Sequence, residues 1–319
     1  MMLGNQWFVK MMPFQGFIGF GGGATSLLSS GTGLKDVDAS GGSKTTFGDY
    51  TVHKFTSPGN FVLAASHSSI AADVLLVGGG GSGGVDNGGA GGGGGVVDAP
   101  KTLTPGTYPV SIGDGGAARP GPSNDGAGTN GSSSTGFSLT AAGGGRGGGW
   151  NSNPGASPGG CGGGQACSNT SCGPGAGGET QSGQPGDSGT YGHGGDGGNA
   201  VSHYGAGGGG AGGNAGNSNP SASSSGGNAY GPVTPKYGPG IGYSNGMLAG
   251  GGTGGWDIQN GKNSTNTASN NGTPKSTSQS AEPSCPSNGG GGGHGSNHDN
   301  NASGAGGSGV CVVRYVTQQ

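Results

Sequence analysis

The chain is 319 residues long, and 90 of them are glycine, with 18 prolines and only 27% hydrophobic residues; an average globular chain holds about 7% glycine. Charged residues make up 8% and the formal net charge is −3, which leaves neither the basic stripe a nucleic-acid partner requires nor the self-repulsion of a charged disordered polymer. The glycines keep no strict G-X-Y period, which excludes collagen, and no apolar stretch reaches the roughly 18–20 residues of a membrane span.

Residues 1–45 read as an N-terminal arm in which Trp7, Phe8, Phe14, Phe17 and Phe20 are interleaved with glycine without helical or strand period. The arm lacks the basic start, continuous apolar run and small-residue cleavage site of a secretory signal. Two readings stay open for it: an attachment segment that orders against a partner protein through those aromatics, or an arm folding back on its own domain.

Strand signals begin at Asp49. Tyr50–Phe55 alternates, Ser57-Pro58-Gly59-Asn60 has turn chemistry, and Phe61–Ala65 resumes, which together read as a hairpin. Ala71–Val77 is the strongest strand and runs directly into Gly78; Val96–Ala99, Leu103–Ile112 around a Pro-Gly turn, and Phe137–Ala141 follow. Nothing strand-like then appears until Gly309–Val316, which is apolar enough to be buried and is expected to pair with the strands before residue 142. The predicted fold is all-β and irregular, essentially without α-helix: a small β-sandwich of residues 46–142 plus 306–319, carrying an insertion over 143–305. A long insertion is tolerable because loop-closure entropy grows slowly with length.

The insertion holds glycine runs at 143–149, 159–164, 173–178, 192–198, 205–213, 250–255 and 289–295. A helix is not credible there, since each interior glycine costs about 1 kcal/mol relative to alanine. The alternative to disorder is packed polyproline II helices. Their three-residue period turns every third residue to one face, and glycine at that position lets backbones approach and exchange hydrogen bonds, helped by Cα–H···O contacts.

Motifs for catalysis or metal binding carry little. G-x-G-x-x-G patterns are expected by chance at this glycine content, and the stretch ending at Lys262 has the wrong spacing for a phosphate loop, with Asn263 after the lysine. Asp196 and Asn199 sit in a single, incomplete calcium-nonapeptide-like stretch. His294, His298 and Asp299 lie on a glycine- and asparagine-rich loop that gives no ligand geometry. No nucleophile elbow and no convincing carboxylate pair is present. The expectation is therefore a non-enzyme with no cofactor and no metal. Of five cysteines, Cys161, Cys167 and Cys172 cluster, with one bridge expected among them in an oxidising exterior; Cys311 reads as a buried small hydrophobe. Trp150, Tyr191, Tyr204, Tyr230, Tyr237, Tyr243 and Trp256 lie in or beside the insertion, flanked by Gly, Pro or Asn. Aromatics on polar loops suit contact with sugars or protein loops because they supply area at small entropic cost; the same rings could instead cover the glycine rods as local caps.

Four ordered segments, His53–Val62, Ala72–Gly81, Leu103–Gly116 and the closing Gly306–Tyr315, resemble the glycine-rich domain of bacteriophage tail-fibre and other virion structural proteins, over about residues 50–316. The resemblance implies a β-sandwich carrying a polyproline II bundle whose exposed loops contact a host-surface protein or glycan. It further implies a virion location, in an exposed appendage such as a tail fibre, with other virion proteins as partners through the N-terminal arm. Fibres of this kind are often trimers, although no heptad here demands one. A capsid decoration or head fibre without receptor role, and a bacterial extracellular surface fibril, are the competing expectations.

Overall fold

The computed structural model describes residues 34–121, 126–150, 155–167, 172, 176–186, 189–219, 225–243, 246–255, 284–297 and 302–318. The chain divides into two compact units, 1–34 and 35–319. Trp7, Phe8, Phe14, Phe17 and Phe20 lie outside the described residues, as do Trp256, His298 and Asp299.

Two antiparallel sheets form the sandwich. The larger has five strands: β2 (Ser43–Phe47), β3 (Tyr50–Phe55), β12 (Val310–Val316), β5 (Ile70–Val77) and β6 (Val96–Leu103), in that spatial order. The smaller has three: β1 (Ala39–Ser40), β4 (Gly59–Leu63) and β7 (Gly106–Val110). A hairpin of β8 (Ser134–Gly136) and β9 (Leu139–Ala141) joins the side of the core, and β10 (Gln184–Gly186) pairs with β11 (Gly189–Tyr191). Among the described residues the one α-helix is a single turn, α1 (Thr234–Tyr237), opened by Pro235.

The last strand is central, as its apolar run requires. β12 pairs with β3 from Cys311↔Phe55 to Val316↔Tyr50 and with β5 from Val310↔Val77 to Tyr315↔Ala72. Strand alternation then divides its side chains. Cys311, Val313 and Tyr315 join Ile70, Val74, Leu76, Phe55, Phe61 and Leu63 between the sheets, while Val310 and Val312 face outward with Leu75, Val77 and Val96. That second face is also buried. Val233, Tyr237, Ile241 and Leu248 of segment 230–249 cover it.

Two expectations are corrected. β3 and β4 do not form a hairpin; they belong to opposite sheets, and the crossing at Ser57-Pro58 lets Phe55 and Phe61 both point into the shared core. Phe137–Ala141 is not one strand, because Phe137 and Ser138 adopt left-handed φ of 56° and 60° and form the turn between β8 and β9. A left-handed aromatic residue is strained. Burial offsets the strain here, with the Phe137 ring 5.2 Å from Tyr108 and 5.7 Å from Phe61.

The glycine segments form a bundle that grows out of the sandwich. The β5–β6 ribbon does not end at Val77↔Val96: Gly78, Gly81 and Gly84 donate to Gly95, Gly92 and Gly89 at 2.9–3.0 Å. The intervening N–H groups go elsewhere. Gly79, Ser82 and Val85 donate to Ser132, Thr129 and Gly126, and Gly80 and Gly83 donate to Gly307 and Gly304. Three neighbours served in strict rotation is the period of polyproline II, so 78–85 is one such rod.

Segment 88–95 shows the lattice complete. Its N–H groups go in rotation to 290–296, 142–148 and 206–209, and its carbonyls accept from 78–84, 161–164 and 252–255. The six surrounding rods also bond to one another in a ring, for example Gly144 to Gly79, Gly145 to Cys161, Ala206 to Gln165, Gly208 to Gly252, Gly292 to Gly250 and Gly293 to Gly81. The result is hexagonal packing around a buried rod of seven glycines and one alanine. Glycine is required by close approach: a Cβ on Gly91 would run into the Gly81 carbonyl, and one on Gly208 into the Gly91 carbonyl.

Rods therefore begin at Gly78, not at residue 143, and the bundle takes in 78–95, 113–121, 126–133 and 306–309 from stretches that read as sandwich. At the other boundary, β1 and β2 place 39–47 in the sandwich, with Val37 and Ala39 buried in its core, although part of that stretch reads as arm.

Candidate functional site

The bundle has a direction. Strands β5, β8 and β12 meet it at Val77, Ser134 and Val310, and the rods run away from there. The far end is marked by the Asp86-Asn87 reversal (φ 57° and 51°), Trp150, the Val201–Tyr204 turn, Ser218, Gly255 and Asn297. The opposite pole holds Lys35–Asp36 and Gln318. There Gln318 donates through Nε2 to Asp36 Oδ1 at 2.8 Å, and Val37 N–H donates to the Thr317 carbonyl at 2.9 Å. Sequence order alone cannot show this polarity, because it follows from which rods run antiparallel.

At the far end, Trp150 N–H donates to the Val85 carbonyl, and the half-exposed Trp150 ring lies 5.2 Å from the His203 ring. His203 is held at φ 57° in the turn after Val201, and Val201 is among the few exposed large apolar side chains. This is the one place among the described residues where an aromatic contact residue expected from sequence stands at a rod end and reaches solvent.

The other candidates separate. Tyr204 and Tyr237 are 1% and 2% exposed, so neither offers a ring to a partner, and their expected role as contact residues is corrected to packing. Tyr204 is buried at the close of the Val201–Tyr204 turn. Tyr237 is sealed over the outer face of the large sheet, where its hydroxyl donates to Asp98 Oδ1 at 2.6 Å. Tyr230 donates to Asp98 Oδ2 at 3.2 Å, and its ring packs 4.6 Å from His193. Tyr243 accepts the Gly250 N–H at 2.6 Å. Tyr191 packs against the sandwich core beside β6. Tyr191, Tyr230 and Tyr243 keep partial exposure but lie near the sandwich rather than at the rod ends.

Segment 230–249 is thus a strap, fixed by charge as well as apolar burial. Lys236 bridges Asp98 at 2.8 Å and Asp73 at 3.0 Å, and Arg314 pairs with Asp73 at 2.8 Å while stacking 3.4 Å over Tyr50. Burial, then the Asp98 charge, pushes the Tyr230 and Tyr237 phenols well above their ordinary range.

Bundle perimeters lack the next rod, and side chains stand in for its carbonyls. Asn214 and Asn217 accept the N–H groups of Asp196 and Asn199 at 2.9 and 2.8 Å, Asp196 in turn accepts that of Glu179, and Asn130 that of Arg146. The nonapeptide-like Asp196 and Asn199 are capping groups of this kind. His294 is buried, its Nδ1 accepting from the Thr253 N–H at 3.1 Å and hydroxyl at 2.9 Å. Among the described residues no three His, Cys, Asp or Glu side chains come together to hold a metal, and no helix is long and apolar enough to cross a membrane.

Cys167 and Cys172 form a disulfide; Cys161, Cys285 and Cys311 are buried and lie outside it. Burial pushes the Cys161 and Cys285 thiols up to about 12, and that of Cys311 higher still.

An all-β sandwich whose strands continue into a hexagonal glycine bundle defines the class of protein. The chain belongs to the glycine-rich domain family, whose model matches residues 56–316. No curated protein matches it.

Proposed function

We propose that the chain is a non-enzymatic structural protein of an exposed bacteriophage appendage, a tail-fibre or tail-tip component that meets the host surface with the far ends of its glycine rods. The observation that carries this reading is the polarity of the 35–319 unit. The chain enters at Lys35–Asp36 beside Gln318, and the rod ends with Trp150 and His203 lie at the opposite pole. Such a module is mounted at one end and presents the other. Its low charge suits a host-surface glycan or uncharged protein loop better than an anionic polymer. Residues 1–33 are the natural candidate for mounting on other virion proteins, and self-association into a trimer belongs to the same proposal.

Labelling the chain in assembled particles and imaging them tests it. A label at the tail tip, with purified protein binding host cells and Trp150→Ala weakening that binding about tenfold (a loss of roughly 1.4 kcal/mol), is expected. A label on the capsid would replace the reading with a head fibre or decoration. A cell-encoded chain on a bacterial surface would replace it with an extracellular fibril.

A further inference from the structure

We propose that Cys167 and Cys172 are an oxidation-dependent clasp that fixes the far end of the bundle and seats the Val201–Tyr204 turn that carries His203 against Trp150. The proposal concerns the same rod ends as the functional reading, but its test reads structure and so fails separately from receptor binding.

Rods 157–165, 193–200 and 205–212 converge at the clasp. Gln165 holds the other two: its N–H donates to the Gly198 carbonyl at 3.1 Å, its carbonyl accepts from Ala206 at 2.8 Å, and its Oε1 accepts from Ala200 at 2.9 Å. Two residues on, Cys167 packs with Ala200 and Ala206 in the one apolar cluster described at this end of the bundle, and both cysteine sulfurs lie 3.3–3.6 Å from the Ala200 carbonyl. Ala200 leads directly into the turn. The next link is Val201 N–H to Ser218 Oγ at 2.7 Å, and His203 follows with its ring on Trp150. The sandwich end of the bundle has two large apolar clusters to hold it. Among the described residues, the apolar cluster at the far end is only Cys167, Ala200 and Ala206, beside the buried Val85 and Tyr204.

Closure is a two-electron oxidation. The two thiols lose two protons and two electrons and form one S–S bond; a small-molecule disulfide such as oxidised glutathione takes them and leaves as two thiols. A chain made in a reducing cytoplasm therefore carries the clasp open and closes it outside. Cys172 is exposed and Cys167 buried, so attack and release run through Cys172.

Hydrogen exchange of the intact chain, followed by mass spectrometry with and without dithiothreitol and in Cys172→Ser, tests the clasp. Oxidised wild type is expected to show no native thiol reactive to a small disulfide probe, and three on unfolding. Reduction is expected to expose Cys172 to the probe and to speed exchange of residues 198–206 about tenfold or more, leaving β5 and β12 unchanged; Cys172→Ser is expected to match the reduced state. Five thiols on unfolding after incubation with oxidised glutathione, or exchange over 198–206 that is the same in all three forms, would overturn the proposal.

Discussion

Whether a glycine of this chain tolerates a methyl group depends on where its rod sits. Gly91 is in the central rod, where an added Cβ meets the Gly81 backbone and nothing flexible can yield. Gly91→Ala is expected to lower unfolding stability by about 2 kcal/mol or more, as overpacking does. Gly178 is on an exposed perimeter rod, and the nearest atom to an added Cβ is Asp196 Oδ1 at 3.7 Å. Gly178→Ala is expected to be neutral or stabilising by up to about 1 kcal/mol, through the unfolded state. Urea midpoints of the two variants decide it, and equal effects would contradict the lattice. His53 supplies a second residue-scale test. It is fully buried with Nδ1 donating to the Gly41 carbonyl at 2.7 Å, which fixes Nε2 as acceptor from the Tyr315 hydroxyl at 2.8 Å. Burial lowers its pKa from the ordinary 6.5, the Gly41 bond opposes, and Lys44 adds to the lowering. The unfolded chain therefore binds the proton more readily. The stabilisation is whole above pH 6.5 and is lost as pH falls from there toward the folded pKa. Thermal midpoints between pH 4 and 8 are expected to fall on the acid side, with a shallower fall in His53→Gln.

At the scale of elements, the strap 230–249 decides how the large sheet can be buried on both faces without a second sandwich layer. Its anchor is Asp98, which accepts from Lys236, Tyr237 and Tyr230 at once. Removing the buried Tyr237 hydroxyl takes away a hydrogen bond to a charged group, worth about 1.5–3 kcal/mol. Tyr237→Phe is expected to lose about that much in denaturant unfolding, and Tyr230→Phe less, because Tyr230 is half-exposed and its bond longer. No difference from wild type in Tyr237→Phe would mean the strap is held by apolar burial alone. The strap was not legible in the sequence: Tyr230, Tyr237 and Tyr243 stand among Gly and Pro much as exposed contact aromatics do, and only the surface they cover distinguishes them. The strands with apolar alternation, β3, β5 and β12, were legible because burial on a pleated sheet leaves a period of two. β2, with Ser43, Lys44, Thr45 and Thr46 exposed on a sheet edge, leaves no such signal. The β8–β9 turn was hidden for a different reason, since tertiary packing of Phe137 overrode the preference of its backbone.

For the whole molecule, the glycine content that first reads as disorder specifies a second kind of core. The sandwich is held by side chains and the bundle by backbone hydrogen bonds. The two share one register because β5, β6 and β12 continue into rods without a break. Ordering glycine is entropically expensive, so the rods are expected to form together or not at all. The three-residue glycine logic was readable in the described runs 143–149, 159–164, 192–198, 205–213, 250–255 and 289–295; its extension to 78–95 was not, because those glycines adjoin the strongest strands and pass for their turns. The most direct test is residue-resolved native hydrogen exchange of the Gly88–Gly95 amides. Each is expected to exchange as slowly as those of β5 and β12, through global unfolding alone; exchange at the rate of an open coil, with β5 and β12 still protected, would contradict the packed bundle.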